Sequence, residues 1–378
     1  MKPLSVYIHI PFCVQKCLYC DFLSHKGERE EQLSYTEALK KELQSKAPLY
    51  KDYVVTTLFV GGGTPSVLPR HLLAEIIDVL KQNYAILPEG EWSIEVNPGT
   101  VAPEKFLAYK EMGFNRLSIG AQSLQDEELS ALGRIHNSTD FYRAYEMANR
   151  AGFTNINVDI MTGIPRQSKG SLTQTLKAVL ELEPPPTHIS AYSLIVEEGT
   201  PFYEDTPPLP SEEEDREMVD LTAELLAAGG YEQYEISNYA KEGMECAHNC
   251  VYWERGDYVG FGLGASSMVS DRRFQNTSDM GEYLRGKTVC TEQLLCVEEQ
   301  MEEFMFLGLR MRKGVSERVF FETFHKTFDE VYKGVSEPYE KLGYLQRIYE
   351  DDGPFYTLRL TREGMHVSNP IMADFLLT

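Results

Sequence analysis

No stretch of this 378-residue chain approaches the roughly 20 consecutive apolar residues of a membrane-spanning helix, so stable membrane insertion is not expected. Positive charge is scarce: 36 Lys and Arg stand against 58 Asp and Glu, a net charge of −22. Such a chain repels phosphate backbones and anionic lipid, and no run of Lys and Arg offers a local basic patch. Nucleic acid is therefore not an expected partner. Cysteine is sparse and odd in number, seven in all, which argues against a disulfide framework and for a reducing, cytoplasmic setting. Nor is a secretory leader expected. The apolar residues from Leu4 to Phe12 imitate one, but His9 and Pro11 interrupt them and Phe12 is too bulky for a cleavage site. That segment reads as a strand. With 42% hydrophobic residues the composition marks neither disorder nor coiled coil, and a chain this long folds without disulfides or a structural metal.

What is present is a rhythm. Short β-rich runs at Ser5–Ile10, Val54–Val60, Glu91–Val96, Arg116–Ile119, Asn155–Ile160 and His188–Ser193 alternate with amphipathic helical patterns at Glu31–Ala47, Arg70–Tyr84, Pro103–Met112, Thr139–Ala151 and Ser171–Leu182. This predicts βαβ units on a parallel sheet. Gly113-Phe114, Gly152-Phe153 and Gly230-Tyr231 repeat one design: a left-handed helix end, then an aromatic, then a strand. About six units fit before residue 235, which predicts a partial (β/α)6 barrel over 1–235; an open doubly wound sheet is the alternative. From 236 to 378 the rhythm fades. Thr291–Leu309, Ser316–Phe328 and Ser336–Leu342 read as helices, and Tyr344–Ile348 with Tyr356–Leu360 as strands around an Asp351-Asp352-Gly353 turn. The expectation is a smaller, mainly helical, winged-helix-like C-terminal domain without the basic face that DNA needs.

Ligands of parallel α/β folds sit at the carboxyl ends of the strands. The residues there are Cys13, Cys17 and Cys20 after the first strand, Gly61–Pro65 after the second, and Glu95 at the end of the third. Gln122 and Ser123 follow the fourth, Asp159 ends the fifth, and Tyr192 ends the sixth. Three thiolates within eight residues can hold three irons of a [4Fe–4S] cubane and leave the fourth open. They also fit a zinc site completed by a distant His or Cys.

The run Tyr7-Ile-His-Ile-Pro-Phe-Cys13-x3-Cys17-x-Tyr19-Cys20 resembles the start of radical S-adenosylmethionine (SAM) proteins of the oxygen-independent coproporphyrinogen oxidase group. Gly61-Gly-Gly63-Thr64-Pro65, Glu95-Val-Asn-Pro98, Gly120-Ala-Gln122-Ser123 and Asp159-Ile-Met-Thr-Gly-Ile-Pro165 match that group in the same order. The resemblance implies a cluster on Cys13, Cys17 and Cys20, with SAM chelated to the open iron. It also implies SAM contacts from Tyr7, Gly63, Thr64, Glu95, Gln122, Arg134 and Asp159, with Tyr19 covering the cluster.

Two features depart from the coproporphyrinogen dehydrogenases of that group. Phe22 stands where they carry a further Cys, and Tyr7 lies close to the first residue where they have a longer leading segment. The run His248-Asn249-Cys250-Val251-Tyr252-Trp253 resembles instead the HNxxYW motif of the HemW haem chaperones. That likeness implies haem as a third ligand, with His248 offering an axial nitrogen and Tyr252 and Trp253 flat faces for the macrocycle. It also implies haem-accepting proteins and an electron donor as partners. Cys246 and Cys250 flank the His and could bind zinc or compete for haem, whereas Cys290 and Cys296 read as packing residues. The alternative function is the decarboxylation of coproporphyrinogen III itself.

Overall fold

The protein is seen in a computed structural model that describes residues 1–350 and 353–377. Six strands run parallel and in chain order: β1 (Lys2–Ile10), β2 (Tyr53–Gly62), β3 (Ile86–Val96), β4 (Arg116–Gln122), β5 (Asn155–Thr162) and β6 (His188–Ser193). Helices at Arg29–Lys46, Arg70–Asn83, Pro103–Met112, Ser138–Arg150 and Lys169–Leu180 make the crossovers. Gly113, Gly152 and Gly230 have φ of +98°, +85° and +81°, and Phe114, Phe153 and Tyr231 after them are buried. The repeated glycine–aromatic signal therefore works as read: glycine accepts the left-handed turn and the ring locks the returning chain into the core.

Each strand separates its two faces with period two. Val6, Ile8 and Ile10, Leu58 and Val60, Ile94 and Val96, Leu117 and Ile119, Val158 and Ile160 point outward, into one core with helix residues such as Leu39, Leu73, Phe106, Phe141 and Leu176. The opposite face carries Tyr7, Phe59, Glu95, Ser118, Asn157, Asp159 and Ser190, which line a cavity. A parallel sheet buried on both faces normally reads as a near-continuous apolar run. Here the inner face is polar, so the sheet curls around a lumen rather than a packed core.

The sheet extends beyond the six strands at both edges. Next to β6 lie the short antiparallel strands β7 (Glu232–Gln233) and β8 (Asn238–Ala240). Next to β1, and parallel to it, lies β9 (Tyr258–Phe261), continued by the antiparallel β10 (Ser266–Val269), β11 (Arg272–Asn276) and β12 (Val289–Leu294). Among the described residues this is one twelve-stranded sheet with two separate edges, so the barrel is partial and not closed.

Three sequence expectations change here. Residues 236–294 were assigned to the second domain, yet β8–β12 extend the first sheet, and Val259, Phe261, Leu263 and Tyr283 join its core. The expected helix from Thr291 is a strand up to Leu294, because β12 pairs with β11, and the helix spans Val297–Gly308. The expected helix over 316–328 breaks at His325, whose φ is +55°. A second core then runs from Met301 to Phe375 around the antiparallel strands β13 (Val315–Ser316), β14 (Leu345–Tyr349) and β15 (Tyr356–Leu360). Asp351 and Asp352 of the expected turn lie outside the described residues.

Glu42 fastens the added strands to the barrel. It is buried, and its Oε2 accepts from the Gly262 N–H at 2.9 Å and from the Tyr283 hydroxyl at 2.7 Å. Its Oε1 accepts from Asn276 Nδ2 at 2.7 Å and from Lys46 Nζ at 2.6 Å. Glu42→Ala removes an acceptor from all four donors and leaves the Gly262 N–H and the Tyr283 hydroxyl without one, so it should lower unfolding free energy by about 3 kcal/mol or more in urea denaturation. A loss under about 0.5 kcal/mol, typical of a surface site, would contradict this role.

Candidate functional site

A cavity of about 410 Å³ opens among the carboxyl ends of the strands and runs inward along the polar face. Of the residues singled out in the sequence, Cys13, Cys17, Cys20, Tyr7, Tyr19, Gly63, Thr64, Glu95, Gln122, Arg134, Asp159, His248 and Tyr252 all line it; Trp253 does not.

The cysteine loop is pinned before any metal enters. The Cys13 N–H donates to the His25 carbonyl and the His25 N–H to the Pro11 carbonyl, each at 2.9 Å. His9 Nε2 donates to the Leu23 carbonyl at 2.9 Å, which leaves Nδ1 to accept from the Tyr7 hydroxyl at 3.0 Å. Gly63 lets the second strand's loop approach: a Cβ there would stand 2.9 Å from Cys13 Sγ. The Thr64 hydroxyl lies 3.5 Å from that sulfur. On the other side Arg134 donates to Cys17 Sγ at 3.7 Å and to the Gly120 carbonyl at 2.7 Å. Tyr19 sits beside Arg134, and burial raises its phenol pKa. Gln122, at φ +66°, accepts the Tyr192 hydroxyl at 3.0 Å.

Among the described residues no three His, Cys, Asp or Glu side chains gather tightly enough for a single metal ion. Mononuclear zinc draws its donors to about 2.0–2.3 Å from one centre. A cubane instead takes one thiolate at each corner iron. Three thiols lining one cavity can each meet a corner iron of such a cluster.

Deeper in, Glu95 and Asp159 form an acidic pair. Burial is the main cause pushing Glu95 up to about 8, and the Asp159 charge adds to it, while the Gly62 N–H, 3.1 Å from Oε2, pulls the other way. Burial also raises Asp159, against the bonds from Asn157 and Ser118 and the charge of Arg116.

The helix Ala247–Trp253 closes the inner end. Glu91 accepts from the backbone N–H of Ala247 at 3.2 Å and of His248 at 3.1 Å, and from Cys246 Sγ at 3.6 Å. His248 is 1% exposed and stacks on Phe59 at 5.3 Å. The Thr57 hydroxyl donates to Ser5, so its oxygen accepts from His248 Nδ1 at 2.8 Å. His248 Nε2 then accepts from the Tyr252 hydroxyl at 2.8 Å. Burial, with Arg116 second, pushes the ring to about 3, so it is neutral at pH 7.

Burial also pushes Cys246 and Cys250 up to about 12, which leaves both as neutral thiols. Cys290 and Cys296 are exposed and do not pack as expected; Cys290 lies on the edge strand β12 and Cys296 caps a helix. Trp253 was expected at the macrocycle. It turns instead toward the C-terminal domain, with the Arg310 guanidinium 4.3 Å from its ring.

Sequence reasoning missed a polar relay beneath the acidic pair. The Tyr234 hydroxyl donates to His188 Nε2 at 2.9 Å, and His188 Nδ1 to Asn157 Oδ1 at 2.6 Å. Asn157 Nδ2 then donates to Asp159 at 2.6 Å. It also missed Arg116. Period two marks Arg116: in Arg116-Leu-Ser-Ile-Gly-Ala-Gln122 every polar residue or glycine faces inward.

A ligand that brings positive charge to the acidic pair must displace the proton that Glu95 holds below about pH 8. Affinity for such a ligand, SAM included, should therefore rise from pH 6.5 to 8.5, with a gain of up to about tenfold per pH unit below the Glu95 value. Calorimetric titration across that range checks it; a slope that persists undiminished in Glu95→Gln would contradict it.

A family model of the radical SAM superfamily matches residues 7–179, and one of the HemN C-terminal domain matches residues 295–367. The chain is similar to a protein named heme chaperone HemW from Bacillus subtilis, 35% identical over 98% of this chain and 99% of that one. A protein of the same name from Escherichia coli is 41% identical over 71% of each chain, and one from Lactococcus lactis 32% identical over 100% and 98%. Among solved structures, the coproporphyrinogen III oxidase HemN from Escherichia coli, described as a radical SAM enzyme, superposes with a TM-score of 0.84. It is 23% identical, over 100% of this chain and 90% of that one, a likeness of fold. The chain belongs to the family of proteins named heme chaperone HemW, within the radical SAM superfamily.

Proposed function

We propose that this protein binds haem and passes it to haem-requiring acceptor proteins, with a [4Fe–4S] cluster and SAM held in the same lumen. The observation that carries this reading is the shared cavity. His248, Asn249 and Tyr252 line its inner end, and Cys13, Cys17 and Cys20 line its mouth. Membership of the radical SAM superfamily implies the cluster and SAM. When bound, the reduced cluster supplies the electron that cleaves the SAM sulfonium. Cys13, Cys17 and Cys20 would hold the cluster. Gly63 and Thr64 on one side, with Gln122 and Arg134 on the other, would bind SAM's amino-acid end, and Glu95 with Asp159 its positive charge.

For haem the supporting facts are a neutral imidazole and its partners. Iron at Nε2 would take the place of the Tyr252 hydroxyl, while Thr57 keeps Nδ1 and Phe59 keeps the ring plane. A fixed second nitrogen is how ligating histidines hold tautomer and direction. The reading further requires an electron donor that reduces the cluster.

Anaerobically reconstituted protein should contain about four irons per chain, lost in the triple Cys13, Cys17 and Cys20→Ala variant. It should bind about one haem, and His248→Ala should weaken that binding at least tenfold with a changed visible spectrum. It should form no vinyl product from coproporphyrinogen III with SAM and reductant. Robust decarboxylation would favour the alternative enzyme, and an unchanged haem spectrum in His248→Ala would remove His248 from the site.

A further inference from the structure

The Arg116 charge lowers the Asp159 and His248 pKa values, but its guanidinium has no hydrogen-bonded partner among the described residues. Arg116 opens β4 at the inner end of the lumen, is 2% exposed, and lines the cavity. Among the described residues its guanidinium makes no hydrogen bond, and its Nε is buried without a partner. The nearest carboxylate, Glu91, is 3.9 Å away, beyond hydrogen-bond range. Glu91 is already engaged by Ala247, His248 and Cys246. A guanidinium is always charged, and a buried charge without hydrogen-bonded compensation is strongly unfavourable. Its planar fork is built to receive a carboxylate through two parallel bonds. Asn249 lines the same end, and its side-chain amide has no partner among the described residues. The lumen already carries Glu95 and Asp159, and Glu91 lies close to Arg116, so one further monoanion suits a single cation better than a phosphate dianion.

We propose that the inner end of the lumen is a carboxylate-binding site, with Arg116 as its charged donor, and that a propionate of bound haem occupies it. This rests on the haem reading above. It gives the macrocycle a second point of attachment besides His248, and so fixes its rotation in the lumen.

The test is a visible-absorbance titration of the full-length, cluster-loaded protein with haem and with haem dimethyl ester, whose propionates carry no charge. The parent should bind the ester about ten- to a hundredfold more weakly than haem, the range of a charged hydrogen bond. Arg116→Gln should lose a similar factor for haem and no longer distinguish the two ligands. Arg116→Lys, which keeps the charge without the fork, should recover part of the loss. SAM affinity should change far less than haem affinity in Arg116→Gln. The parent with the ester needs no variant, so a folding defect in Arg116→Gln cannot decide the result. Equal affinity of the parent for haem and ester would overturn the proposal. So would a loss in Arg116→Gln confined to SAM, which would make the carboxylate that of SAM. Absence of any spectral change in the parent would instead sink the haem reading itself, and this site with it.

Discussion

The lumen depends on burying a polar sheet face without filling it. Every inward position of β3–β6 that carries Glu, Arg, Ser, Asn, Asp, His or Tyr must find partners inside the protein, since an unpaired buried polar group is strongly unfavourable. The chain meets this with cross-strand bonds among Ser118, Asn157, Asp159, His188 and Tyr234. At the Glu95–Asp159 pair, where two carboxyls share a buried site, and at Arg116, which makes no hydrogen bond among the described residues, the electrostatics favour a charged ligand. The apolar outer face and its helices supply the stability that holds such a lumen open.

The Ala247–Trp253 helix joins the two ends of the molecule. Its first turn hangs on Glu91 of β3, its His248 on Thr57 of β2, and its last residue packs under Arg310 beside the second core. His248 is held at both ring nitrogens, one bond to Thr57 of the central strand β2 and one to Tyr252 on its own helix. The second bond is the exchangeable one. A group held so that only one lone pair can be offered suits reversible capture of a ligand better than a freely rotating imidazole would.

Much of this was legible in the sequence because it depended on local pattern. The Gly-aromatic repeats fixed three helix ends, and the cysteine spacing with strand-end Gly63, Glu95, Gln122 and Asp159 located the mouth of the cavity. What escaped depended on pairing over distance. β9 has only four residues and is placed by β1, more than 240 residues earlier in the chain. Cys290 and Thr291 sit in a strand because β11 is beside them, not because their own segment demands it. Trp253 looked like a macrocycle contact because it follows Tyr252, but a helix turns neighbouring residues to different sides. Arg116 was visible as the first member of a period-two polar series, yet only the folded sheet reveals that it makes no hydrogen bond among the described residues.

On the proposed function, one lumen serves both the cluster and haem. An anaerobic crystal structure of the protein loaded with both tests it most directly. Tetrapyrrole density is expected between the Glu95–Asp159 pair and the Ala247–Trp253 helix, with iron at His248 Nε2 and the cluster on Cys13, Cys17 and Cys20 at the mouth. Haem seated instead in the separate cavity of about 540 Å³ beside Trp253, Phe304, Met311 and Val315, with His248 still bonded to Tyr252, would contradict it.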